Sequence, residues 1–263
     1  MDHSGRICEM IQEVHSGHNE LTSAMAGIGM GFATSAAPEP NIEDTIFFAS
    51  TEAIDGSDLR VIAMLVSWFG VHHAWVNADR LTKLVSIRGS EHVSALWTAL
   101  ARWQGRDRRY ARLAKCYRGP RLDLLATGAE LQIRRHGEDP RFEGSCLRVP
   151  ANLLRDRSGD VVPPERLARQ HRTYRYRVMM GTSYRADCWA VLESEPGLST
   201  TELARRTYAA FATAWHVKRD FAIVGPPGRR SRRMAKPDST VGSSRGDPAP
   251  QGRRHPHRGV HQA

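Results

Sequence analysis

Apolar residues recur at helical spacing through most of the chain's first half. Asn41-Ile-Glu-Asp44 supplies a capping signal ahead of an apolar stretch, so order is expected to begin there. In "DLRVIAMLVSWFG" (58–70), Leu59, Ile62, Ala63, Leu65, Val66 and Phe69 follow the helical period, with Gly70 as the expected stop. This segment is apolar nearly all round, which predicts a buried central helix. "VNADRLTKLVSI" (76–87) has Asn77 as a cap and Leu81, Leu84 and Val85 on one face. "SEHVSALWTALARW" (90–103) repeats the pattern through Val93, Leu96, Trp97 and Leu100.

The pattern then changes. After the basic run "RDRRYARLAK", the stretches "ELQIRRH" and "SCLRVP" predict two short strands around the polar loop "GEDPRFEG", a hairpin or wing. "PPERLARQHRTYRYRVMM" predicts one helix opened by Pro163-Pro164, and "YRADCWAVLESEPG" a shorter one closed by Pro196-Gly197. The fold class expected is mainly α with a small β-hairpin (α+β), built of winged-helix-like modules. The expected domains are a flexible leader (1–41), a helical domain with the hairpin (42–150), a C-terminal helical domain (151–224) and a disordered basic tail (225–263).

"PGLSTTELARRTYAAFATAW" (196–215) carries the most specific signal. Ser199 or Thr200 caps a helix, and Glu202, three residues after Ser199, forms a capping box; Leu203 and Ala204 seat it. Tyr208-Ala209-Ala210 forms a turn, and a second helix runs from Phe211 to Phe221 with Ala214, Val217 and Phe221 inward. That leaves Thr213, His216, Lys218 and Arg219 outward, as donors suited to base edges and phosphates. The stretch "WAVLESEPGLSTTELARRTYAAFATAWHVKRDF" resembles the winged-helix family of bacterial transcription regulators, which implies a recognition helix at Phe211 to Asp220. Tyr208 stands where that family usually has Gly, so the turn must use another conformation or the alignment shifts. The order helix, helix, helix, strand, strand in the first half is also similar to AbiEi-type antitoxins, which repress their own promoter. That resemblance implies a basic face of Arg106, Arg108, Arg109, Arg112 and Lys115.

Charge adds to this picture through its distribution. The formal net charge is +10, but residues 225–263 hold nine Lys/Arg against Asp238 and Asp247, leaving residues 1–224 at only +3. Arg229, Arg230, Arg232 and Arg233 directly follow the second helix and are expected to grip phosphates as a flexible arm does. The partners expected are therefore DNA and a partner toxin or a second copy of the chain. No run of about 18 apolar residues points to a membrane. Cys8, Cys116, Cys146 and Cys188 form no paired motif, so free thiols and a cytoplasmic location are expected.

Catalytic chemistry finds less support. Asp123, Glu130 and Gln132 resemble a metal-dependent nuclease pattern lacking its lysine, and make an enzyme the least favoured reading. His72-His73 are adjacent and cannot ligate one ion without help from elsewhere. Glu138, Asp139 and Glu143 lack the spacing of a calcium loop. "GIGMGF" lies in the leader with no preceding strand to make it a phosphate loop. No cofactor, metal or catalytic site is assigned. The functional expectation is a DNA-binding transcriptional regulator, with a protein-interaction module as the alternative.

Overall fold

The computed structural model of the chain describes residues 18–225. Eleven α-helices make up most of these residues. The first, α1 (His18–Gly27), falls in the stretch expected to be a flexible leader, and that expectation is corrected here. Leu21, Met25, Ile28 and Met30 are all buried, because the small residues around them let the chain lie close against its neighbours. A Cβ on Gly31 would come within 2.5 Å of the Asp160 carbonyl oxygen, so glycine permits the pairing of Met30 with Val161.

Helices α2 (Ile42–Asp55), α3 (Leu59–His72), α4 (Ala78–Arg88) and α5 (Glu91–Trp103) form the helical body. Each begins at a side-chain cap: Asn41, Asp58, Asn77 and Ser90 accept hydrogen bonds from free N–H groups of the first turn. Helix α3 is central as its sequence predicts, with Ile62, Met64, Leu65, Val66, Trp68 and Phe69 all buried. It does not stop at Gly70. The glycine lies inside the helix because Trp103 packs where its Cβ would be, 2.9 Å away.

The expected hairpin is not formed. "ELQIRRH" lies in a helix, α6 (Ala129–His136), and β1 (Leu122–Asp123) pairs in parallel with β2 (Leu147–Arg148). The alternation that suggested a strand is carried by exposed side chains: Leu131 is 55% exposed, so no buried face selected a two-residue period. Good helix formers and a Glu130–Arg134 pair one turn apart favour the helix. The fold is therefore mainly α with a minimal parallel sheet.

The predicted long helix at 164–180 is two helices, α7 (Pro164–Gln170) and α8 (Arg172–Met180). His171 separates them in an extended conformation. Its Nε2 lies 2.9 Å from the Pro40 carbonyl oxygen, and its Nδ1 accepts from the Tyr174 N–H at 3.2 Å. Helices α9 (Tyr184–Ser194), α10 (Thr200–Thr207) and α11 (Phe211–Val224) complete the order.

Two apolar cores result, and they divide at α8 rather than at residue 150. The larger gathers residues from Leu21 to Tyr174; the smaller runs from Tyr176 to Phe221. Arg177, next along α8, sits at the seam and is 1% exposed. Its Nε donates to Asp187 Oδ1 at 2.8 Å and its Nη2 to Asp187 Oδ2 at 3.0 Å. Nη1 and Nη2 donate to the two oxygens of Glu43 at 2.7 and 3.0 Å, and Nη1 also reaches the Trp75 carbonyl at 3.1 Å. All five guanidinium N–H donors are thereby used. Burial pushes the Asp187 carboxyl up against the pull of Arg177. For Glu43 burial acts the same way, but the charge and hydrogen bonds of Arg177, with the Asn77 N–H and Arg80, outweigh it and hold its pKa down.

Replacing Arg177 by Met leaves two buried carboxyl groups facing one another. Arg177→Met is expected to cost about 3–5 kcal/mol in urea unfolding. Adding Glu43→Gln and Asp187→Asn should recover part of that loss. An Arg177→Met protein as stable as the wild type would show that the seam is not held by this arginine.

His72 gives a second prediction. It is fully buried, with Nε2 at 3.0 Å from the Val162 carbonyl and Nδ1 at 2.7 Å from the Tyr174 hydroxyl. A carbonyl only accepts, so Nε2 carries the proton and Nδ1 accepts from Tyr174. Burial lowers the pKa from 6.5 to about 4. Between those values the unfolded chain binds a proton that the folded one does not, so His72 contributes stability above pH 6.5 that is lost as the pH falls toward 4. The loss is about 3 kcal/mol. Buried Asp44 and Asp187, with raised pKa values, act in the opposite sense. The measurement is therefore the difference between wild type and His72→Gln, unfolded in urea at pH 6.5 and pH 4.5. The variant should lose less stability than the wild type, and an equal loss in both would refute the assignment.

Candidate nucleic-acid interface

The C-terminal three helices are built locally. Ser183 and Ser199 cap α9 and α10, accepting from the Ala186 and Glu202 N–H groups at 3.4 and 3.1 Å. The second half of the expected capping box is replaced. The Glu202 carboxylate turns outward to Arg205 and Arg206, which hold its pKa down to about 2. Leu203 of α10 and Ala214, Val217 and Phe221 of α11 point inward around Trp189 and Leu192 of α9. Phe221 meets the Trp189 ring at 5.1 Å, and each of the three helices packs against the other two. The three helices form one packed unit around a single small core.

The turn is settled by Tyr208. Its φ of +56° and ψ of 19° place it in the left-handed region where glycine is usual. The backbone turn is thus the ordinary one, made with a tyrosine. The strain of about 1–2 kcal/mol is offset by contacts glycine could not make. Arg80 of α4 lies flat on the ring, its Cζ 3.1 Å from the centroid, and the hydroxyl donates to Asp44 Oδ2 of α2 at 3.2 Å. Arg80 also pairs with Asp44, with both side chains about 6% exposed. The turn between α10 and α11 is pinned to the helical body.

Helix α11 does not present the four expected residues equally. His216 and Arg219 are exposed, with Arg219 over the Trp215 ring and beside Asp220. Thr213 is half-buried. Lys218 is drawn to the opposite flank, where its Nζ donates to the Leu198 carbonyl. The expectation of Lys218 as a free donor is corrected: the amine satisfies a carbonyl of the loop before α10. The outward face carries residues the sequence reading left aside: Phe211, Trp215 and Ile223 are 58%, 48% and 74% exposed. Arg229, Arg230, Arg232 and Arg233 lie outside the described residues.

The other candidate chemistry resolves into structure. Asp123 and Glu130 are brought together, but Arg148 stands between them. It donates to both Asp123 oxygens at 2.6 and 2.7 Å and to Glu130 Oε2 at 2.9 Å, so both carboxylates are already paired with a cation. Gln132 is exposed. Glu138 pairs with Arg121 and Asp139 with Arg141. His72 belongs to the core, while His73 is half-buried at the end of α3. Cys116, Cys146 and Cys188 are free thiols, and burial pushes the Cys188 thiol up to about 11. No helix among the described residues is long and apolar enough to cross a membrane. No known protein family, curated protein or solved structure matches the chain.

If Tyr208 served only to turn the chain, Tyr208→Gly would stabilise the protein by about 1 kcal/mol. The expected result is the reverse, a loss of about 1–2 kcal/mol, because the Arg80 stack and the Asp44 hydrogen bond go with the ring. Tyr208→Phe should show the hydroxyl's share. Thermal unfolding of both variants reads the sign, and a stabilised Tyr208→Gly would overturn the account.

Proposed function

We propose that the chain is a DNA-binding transcriptional regulator that lays the outward face of α11 in the major groove. The observation that carries this reading is the geometry at Tyr208: a left-handed turn joins α10 to α11 inside a three-helix unit, as a helix–turn–helix requires. It is supported by the exposed His216 and Arg219 on α11, with Thr213 at the flank. The likeness of residues 189–221 to winged-helix regulators supports the same reading. The element order that resembled AbiEi-type antitoxins is not present, since residues 129–136 form a helix in place of the hairpin, so no partner toxin is proposed.

One observation favours a second reading. Phe211, Trp215 and Ile223 make the same face of α11 more apolar than base-edge contact alone demands. A protein surface laid on that face would make the unit an interaction module with no DNA readout. The two readings differ in which substitutions matter. Apolar contact with thymine methyl groups also uses such side chains, so the aromatic residues are compatible with the first reading.

A mobility shift of the full chain with fragments of its own upstream region, against unrelated DNA at about physiological salt, should show selective retention. His216→Ala with Arg219→Ala is expected to reduce that preference by about tenfold or more, since base-edge contacts carry roughly 1–3 kcal/mol of discrimination each. Absence of any shift, together with self-association lost on Trp215→Ala with Ile223→Ala, would replace this reading with the second.

A further inference from the structure

The charge of the body is concentrated in one short segment. Residues 102–121 contain eight Lys/Arg against Asp107, a net of +7, whereas residues 1–224 as a whole carry +3. The rest of the body is therefore net −4. All eight basic residues are exposed. Three of them have acidic partners: Arg109 pairs with Asp107, Arg112 with Asp79 and Arg121 with Glu138. Arg102, at the end of α5, and Arg106, Arg108, Lys115 and Arg118 beyond it have no acidic partner among the described residues.

Local structure holds this segment close to the three-helix unit. Two 3₁₀ turns, Arg108–Ala111 and Leu113–Lys115, are anchored inward by Tyr110, Leu113 and Tyr117, all buried. The Tyr110 hydroxyl donates to the His73 carbonyl at 2.6 Å, and the Tyr117 N–H donates to Thr98 Oγ1 at 3.1 Å. With the aromatic rings inside, the cationic side chains are left outside. From Arg108 to Lys115 a 3₁₀ path covers only about 14 Å, and duplex DNA carries one phosphate charge per about 1.7 Å of its axis. Arg108, Arg109, Arg112 and Lys115, four cations on so short a path and two of them without an acidic partner, match a polyanion of that density.

A path of direct contacts leads from here to α11. Arg109 donates to Thr182 Oγ1, just before α9. Asp79 accepts from the Tyr184 hydroxyl at 2.9 Å and pairs with Arg112 and Lys83. One residue on, Arg185 pairs with Asp220 at 2.9 Å, and Asp220 also takes Arg219. The basic segment and the Arg219 end of α11 are thus both tied to the start of α9.

We infer that the segment around Arg106, Arg108, Lys115 and Arg118 is a second DNA-contacting surface. It grips the phosphates of the duplex whose groove α11 reads, without regard to sequence. This inference rests on the DNA-binding reading above, and the experiment separates the two.

The probe is a fluorescent 30-base-pair duplex, in one version the chain's own upstream sequence and in another a scrambled one, titrated with the full chain across a salt series. Each phosphate contact contributes about 0.9 to the slope of log affinity against log salt. The variant Arg106→Ala, Arg108→Ala, Lys115→Ala, Arg118→Ala should lose affinity equally for both duplexes. Its slope should flatten by about 3 to 4. Its preference for the upstream sequence and its unfolding temperature should not change, since these side chains hold no acidic partner among the described residues. Exchanging the same four positions between Arg and Lys should keep the wild-type slope, separating charge from folding. An unchanged slope in the alanine variant, with wild-type binding intact, overturns this inference and leaves the α11 reading standing. No binding of either duplex by the wild type overturns both.

Discussion

The fold turns on one buried arginine. Arg177 joins two apolar cores that could otherwise part along α8, since Tyr174 faces one and Tyr176 the other. Its two carboxylate partners come from opposite sides of that seam, Glu43 on α2 and Asp187 on α9. A guanidinium can do this where an ammonium cannot. Its planar fork meets two carboxylates bidentately and still has a donor for the Trp75 carbonyl. Such a site adds little to stability beyond what an apolar filling would give, but its geometry admits very few relative placements of the two cores. The arginine fixes how they meet.

A second set of charges repeats the logic a short distance away. Arg80 and Asp44 belong to the body, and Tyr208 belongs to the turn between α10 and α11. The neighbours Glu43 and Asp44 therefore serve both joints, one through Arg177 and the other through Arg80. Helix α2 touches the C-terminal unit at α8 and the turn, with side chains that are all buried or half-buried. Helix α11, held this way, is presented in a set direction rather than on a free domain. The left-handed strain at Tyr208 is tolerable because the ring that causes it is also the ring that Arg80 covers.

What was legible in the sequence is what depends on near neighbours. The caps at Asn41, Asn77 and Ser199 act over three residues, and the inward residues of α11 follow the helical period, so both could be read directly. The joints could not, because Glu43 and Arg177 are 134 residues apart and nothing local distinguishes them from surface charges. The hairpin failed for a related reason: a two-residue alternation predicts a strand only where one face is buried, and Leu131 and its neighbours lie in water. The break at His171 escaped notice because its hydrogen bond to Pro40 is a long-range one. For α11 the spacing identified the inward side correctly, but the opposite side is not uniform. Lys218 answers to a loop carbonyl, and aromatic residues hold much of the surface that polar donors were expected to hold.

That division of α11 bears on how recognition would be shared out. A groove-facing helix with two exposed polar side chains and several apolar ones discriminates by shape and methyl contact, and draws little of its affinity from charge. Attraction to phosphates must then come from elsewhere on the molecule. The segment 102–121 has the charge, and Tyr110, Leu113 and Tyr117 hold its side chains outward. It is tied to α9 through Thr182 and Asp79, and so to the same frame that fixes α11. Reading and gripping would fall to different elements, and their relative placement would be set by the buried arginines rather than by either surface.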